Sequence, residues 1–139
     1  MVMIKRLQTD KLEKDYGPIR AQVLRHSKHI REVFLVDQKG IKREYAMTFF
    51  PEKPDKDLAV INRKIKNGGL IGKTFRDNGY DIIKRKKKNF TVELSMWLKK
   101  SFETNKISTK ASFYEFCVKK GSGALNIYGT ILEIYNPAP

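Results

Sequence analysis

Cysteine and histidine are nearly missing from this chain. A single cysteine, Cys117, excludes an intrachain disulfide and leaves no thiolate cluster for zinc, which fits a cytoplasmic protein. The two histidines, His26 and His29, have no further metal-type partners beside them, so no metal is expected. Long apolar runs are lacking too. No stretch approaches the length of a membrane span, and the opening MVMIKRLQTDKLEK has no signal-peptide core, so the sequence reads as soluble, with no membrane partner. At 139 residues, 1–139 reads as one domain with its own hydrophobic core.

Negative charge is scarce as well, with 15 acids against 29 lysines and arginines and a formal net charge of +14. The sharpest basic run is Lys84-Arg85-Lys86-Lys87-Lys88. It lies in an extended segment without a Gly-aromatic motif, zinc spacing or helix-turn-helix, so a nucleic-acid partner is not its first explanation. A solvated face and the steering of a small anionic substrate are the other uses of such charge.

Hydrophobic periodicity places a short helix within Met1–Lys14, around Leu7 and Leu12, ended by Gly17-Pro18. Strands follow over Ile19–Arg25, His29–Asp37 and Ile41–Phe50, the last two joined by a hairpin at Asp37–Gly40. Asp55–Lys66 has Leu58, Ile61 and Ile65 at helical spacing, and Asn67-Gly68-Gly69 supplies a C-cap before a new segment, Leu70–Phe75. Alternation of Val92, Leu94, Met96 and Leu98 favours a strand through Tyr80–Lys100, with a helix carrying Met96-Trp97-Leu98 and Phe102 as the alternative. Ala111–Val118 and the segment Gly121–Pro139 complete an α+β fold, a largely antiparallel sheet with helices packed on it.

Two of these strands each carry one isolated charge. In the last, Ile131, Glu133 and Tyr135 share a face while Leu132 and Ile134 share the other, so both faces are mostly apolar and the strand is central. A carboxylate there needs a basic partner, a proton or a chemical task. Arg31 shares a face with Val33 and Leu35 on the other strand. The two charges can form a structural ion pair, can lie at solvent-facing strand ends, or can hold a small anion against a carboxylate.

The order of these features resembles the chorismate pyruvate-lyase family, whose fold is shared with the UTRA ligand-binding domains of bacterial transcription regulators. The likeness covers about 29–139. It rests on Arg31-Glu32-Val33-Phe34-Leu35, on Ala46 in the returning strand, on Leu70-Ile71-Gly72 after a helix, and on Glu133-Ile-Tyr-Asn-Pro137. The resemblance implies that Arg31 binds a ring carboxylate, that backbone at Ile71 and Gly72 adds a donor, and that Glu133 is the catalytic residue at the hydroxyl-bearing end. It implies a cofactor-independent lyase that eliminates pyruvate from chorismate to give 4-hydroxybenzoate, as a monomer or homodimer. Only Thr9 to Pro18 is available for the family's flap, which leaves a non-catalytic aromatic-acid sensor of the UTRA type as the alternative and a basic nucleic-acid-binding protein as the third.

Overall fold

In the computed structural model, which describes residues 2–4 and 7–138, seven strands form one sheet in which every neighbouring pair is antiparallel. The strands are β1 (Val2–Ile4), β2 (Ile19–His26), β3 (Ile30–Asp37), β4 (Lys42–Phe49), β5 (Asp81–Glu93), β6 (Ser108–Lys119) and β7 (Asn126–Tyr135). Their spatial order is β1-β5-β6-β7-β4-β3-β2. Two meanders, β2-β3-β4 and β5-β6-β7, thus join through the long-range pairing of β4 with β7. The last strand is the middle of the sheet.

The β3–β4 hairpin turns where the alternation of the sequence stops. Gly40 adopts a left-handed φ of 83°, and Asp37 Oδ1 accepts from the N–H groups of Lys39 at 2.9 Å and Ile41 at 3.0 Å. Its other oxygen accepts from Arg43 Nε at 2.9 Å, which ties the turn to the strand that follows it.

Four helices cover the sheet: α1 (Gln8–Tyr16), α2 (Ala59–Lys66), α3 (Ile71–Asp77) and α4 (Met96–Phe102). The helical spacing in 55–66 becomes a 3-10 turn at Lys56–Leu58 running into α2, started by Asp55, whose side chain accepts from the N–H of Asp57. Leu58, Ile61 and Ile65 pack with Phe75 of α3 against Ile82, Tyr114, Phe116, Tyr128 and Ile131 of the sheet. Leu12 of α1 packs beside them on Ile19, Val33 and Leu35. One face of the sheet therefore lies under three helices, and α4 alone packs on the other, through Leu98 and Phe102 against Phe34, Tyr45 and Ile134. This is a single-domain α+β fold.

Two expectations from the sequence are corrected. The strand through Tyr80–Lys100 stops at Glu93, and Met96-Trp97-Leu98 begins α4. The Ser95 side chain caps that helix by accepting from Leu98 N at 3.1 Å, and Leu98 and Phe102, four apart, bury one helical face. The alternation of Val92, Leu94, Met96 and Leu98 hid this, because Leu94 and Leu98 enter the same core cluster from either side of the helix start while Met96 between them is exposed. The N-terminal helix begins at Gln8 rather than near Met1, since Val2–Ile4 is a strand paired with β5 and Leu7 is the N-cap. Met1, Lys5 and Arg6, which that expectation included, lie outside the described residues.

Phe102 is 1% exposed and faces Phe34 edge-on at 6.1 Å. Phe102→Ala should cost about 3–5 kcal/mol, and Ser95→Ala about 1 kcal/mol. Urea denaturation of the two variants checks the ranking; equal losses would mean that α4 is held by its cap rather than by its packing.

Candidate functional site

The helix-covered face carries a line of polar side chains through otherwise apolar surroundings. Strand register puts them there. Arg31 pairs with Thr48, Val33 with Ala46 and Leu35 with Glu44, while Ala46 pairs in turn with Glu133 and Thr48 with Ile131. Because side chains alternate, Arg31, Glu44, Thr48 and Glu133 all rise from one face, with Ser112 and Tyr114 of β6 beyond them. Between this face and the segment Leu7–Thr9 at the start of α1 lies a cavity of about 60 Å³. Arg31, Ile71, Gly72 and Glu133, the four residues singled out from the sequence, all line it.

At one end is Arg31, 2% exposed. Its Nη2 donates to the carbonyl oxygens of Ile65 at 3.2 Å and Gly69 at 2.9 Å, so the turn between α2 and α3 fixes the guanidinium. Its Nε is buried with no acceptor, and no carboxylate among the described residues forms an ion pair with it. Burial lowers the Arg31 pKa from its ordinary value, although a guanidinium stays charged at any physiological pH. The structural Arg31–Glu133 ion pair, one of the readings left open by the sequence, does not form. A buried cation with an unused donor is a costly arrangement until an anion completes it.

At the other end are two acids. Glu133 is 6% exposed, and the single proton of the Tyr135 hydroxyl is shared between Glu133 Oε1 at 3.2 Å and Ser112 Oγ at 2.9 Å, while Ser112 donates its own to Asn89 Oδ1 at 2.8 Å. Glu44, diagonal to Glu133 across the β4–β7 ladder and 1% exposed, is the larger surprise. Burial, and then the charge of Glu133, push its pKa well above the usual carboxylate range, which favours the neutral form of Glu44. Among the described residues neither of its oxygens has a hydrogen-bond partner of good geometry, although Glu133 and Gln8 lie near enough to act on it.

Lys84 of β5 completes this end, with its Nζ 4.5 Å from the centre of the Tyr114 ring. Burial lowers the Lys84 pKa while Glu133 and Glu44 oppose that shift, and burial with the same two acids raises Tyr114. Ionisable side chains therefore occupy both ends of the cavity, and Val33, Ala46, Leu70, Ile71 and Ile131 make its walls apolar.

The cover has its own geometry. Ile71 and Gly72 are the first two residues of α3, whose N–H groups have no acceptor within the helix. Gly72 lets the cover close: a Cβ there would meet Leu7 Cδ1 at 2.9 Å. Leu7 is 4% exposed and is held by its N–H donating to Asp10 Oδ2 at 2.9 Å, while Arg76 of α3 pairs with that same oxygen at 2.6 Å. Lys73 and Glu13 form a second bridge between α1 and α3, at 2.9 Å. The wall over the cavity is thus pinned by two ion pairs that water can reach.

Glu44, Lys84 and Tyr114 were not singled out from the sequence. Glu44 sits in Lys42-Arg43-Glu44, which has the look of an exposed charged stretch, and Lys84 opens a run of five bases. The available signal was the two-residue period of β4, which puts Glu44 on the same face as Ala46 and Thr48.

The Glu44 pKa gives a stability prediction. Because its folded value is raised, its contribution is fully present below the unfolded glutamate pKa and is lost as pH rises toward the folded value. Glu44→Gln, which stays neutral, should therefore gain in melting temperature over the parent between about pH 5 and about pH 8. Melting curves at both ends check the sign; a constant difference would show that Glu44 is ionised throughout. No protein-family model and no curated protein matches the chain.

Proposed function

We propose that the cavity takes the ring of chorismate and expels pyruvate from it, leaving 4-hydroxybenzoate. The observation that carries this reading is Arg31: a guanidinium buried without an ion-pair partner among the described residues, across an apolar box from two acids. Such a box suits a flat carbocyclic acid with a carboxylate at one end and a hydroxyl at the other. Arg31 clamps the carboxylate through the donor it does not use internally. Glu133 and the protonated Glu44 together offer an acceptor and a donor to the hydroxyl end. The resemblance of the Arg31, Leu70–Gly72 and Glu133 segments to chorismate lyases supports the same assignment.

The chemistry asks little of the protein beyond position and one proton. The bond from the ring to the enolpyruvyl oxygen breaks, and the neighbouring ring carbon, which bears the hydroxyl, loses its hydrogen as a proton. The ring becomes aromatic. The released enol takes a proton on its methylene carbon and becomes pyruvate, so atoms balance without an oxidant or a metal. Holding the dianion in one orientation and excluding water supply most of the assistance. The net charge of +14 draws such a dianion in.

Size constrains access. At about 60 Å³ the closed cavity is smaller than the roughly 150 Å³ cavity that admits benzene. Entry of a ring therefore needs Leu7–Thr9 to move away from α3, and the solvent-accessible pairs Arg76–Asp10 and Lys73–Glu13 are the contacts that would release. The same tight closure favours a second reading, a domain that binds an aromatic acid and does not turn it over.

Incubation of the purified protein with chorismate, following pyruvate and 4-hydroxybenzoate, separates the two. Unchanged chorismate together with retained 4-hydroxybenzoate binding would leave the sensor. For a lyase, Arg31→Ala should weaken ligand binding by roughly 1.5–3 kcal/mol, with Arg31→Lys recovering part of it. Glu133→Gln should lower kcat about a hundredfold with a smaller change in product affinity. Loss of thermal stability in both variants, with no separable effect on ligand, would return these residues to a purely structural role.

A further inference from the structure

We infer that the part of the sheet's outer face left open by α4 is a platform for single-stranded nucleic acid. Phe113 of β6, Phe49 of β4 and Phe90 of β5 are 37%, 39% and 41% exposed there. Phe49 and Phe113 line one groove of about 450 Å³ together with Thr130, Lys86 and Lys88. Lys88 stands directly opposite Phe113 in the β5–β6 ladder. Aromatic rings and cations thus alternate across an antiparallel surface.

A bulge in β5 concentrates the cations. Between Arg85, which pairs with Glu115, and Lys88, which pairs with Phe113, two residues on β5 face one on β6. Lys86 takes a left-handed φ of 54° at this point, a conformation that a lysine adopts only at a cost. The break in alternation brings Arg85, Lys86 and Lys88 to the same face, while Lys87 turns to the helix-covered side. Glu115, the acid of the groove, is already met by Arg85 Nη2 at 3.1 Å and Lys86 Nζ at 3.9 Å. The outward charge of the patch stays positive.

Charge selects the occupant. A second copy of the chain would bring another +14 against this one, and the two basic faces would repel. A flexible polyanion gains from both features, because its phosphates release counterions to the lysines and its bases stack on the exposed rings. A duplex keeps its bases stacked on one another and can use only the lysines. The platform lies on the opposite face of the sheet from the Arg31 cavity, so it stands or falls independently of the lyase reading.

Fluorescence anisotropy with a labelled oligothymidylate, and with a duplex of the same length, over a salt series tests the assignment. The single strand should bind more tightly than the duplex. Phe113→Ala and Phe49→Ala should each weaken it about tenfold without changing the salt slope. Lys86→Gln and Lys88→Gln should each lower that slope by about 0.7. Phe113→Trp keeps a stacking ring, so it should retain affinity and lose indole fluorescence when the strand binds, a readout that does not depend on how the alanine variants fold. Equal affinity for duplex and single strand, with Phe113→Trp unquenched, would overturn the proposal and leave diffuse attraction. Binding of the outer face to a second copy or to anionic vesicles, lost in Phe113→Ala while oligonucleotide binding persists, would overturn it too.

Discussion

A buried guanidinium that no carboxylate of the described residues meets is the constraint around which this structure is arranged. Arg31 could have been neutralised by Glu133, which rises from the same face of the same sheet, yet the two are kept at separate ends of a cavity. The carbonyls of Ile65 and Gly69 hold the arginine by hydrogen bonds alone. Carbonyl dipoles orient a cation without cancelling its charge. The attraction for an outside anion is therefore preserved, and the desolvation cost already spent on folding need not be repeated on binding.

The sheet makes this separation possible. Placing β7 between β4 and β6 puts Glu133 in the middle of a covered face, where its neighbours Glu44 and Tyr114 come from the two adjoining strands. Two acids side by side in low dielectric cannot both ionise cheaply, and the raised Glu44 pKa is the consequence. The tight turn Asn67–Gly69 does double service, ending α2 and presenting the Gly69 carbonyl to Arg31. Fold and site are therefore built from the same hydrogen bonds, and changes in the turn between α2 and α3 act on both.

Much of this was legible in the residues. Alternation alone put Ile131, Glu133 and Tyr135 on one face of a central strand and Arg31 on a face with Val33 and Leu35, because the period of a strand is fixed by backbone geometry. What a one-dimensional pattern does not carry is register. Nothing in Lys42-Arg43-Glu44 says that Glu44 lies diagonal to a residue almost ninety positions later, and nothing in a lysine run marks Lys84 as the member that lines the cavity. The α4 helix escaped for a related reason: its cap, Ser95, is an ordinary serine until Leu98 is seen to donate to it. The bulge at Lys86 belongs to the same class, since a left-handed lysine has no sequence signature.

Calorimetric titration with 4-hydroxybenzoate and with 4-hydroxybenzamide, its neutral counterpart of nearly equal shape, tests the central claim most directly. The amide keeps the ring and the hydroxyl and removes only the charge meant for Arg31. The account predicts that the acid binds at least tenfold more tightly, a difference of about 1.4 kcal/mol or more, and that Arg31→Met abolishes the preference. Equal affinity for the two ligands, or a preference that survives in Arg31→Met, would contradict the assignment of Arg31 as the anion site.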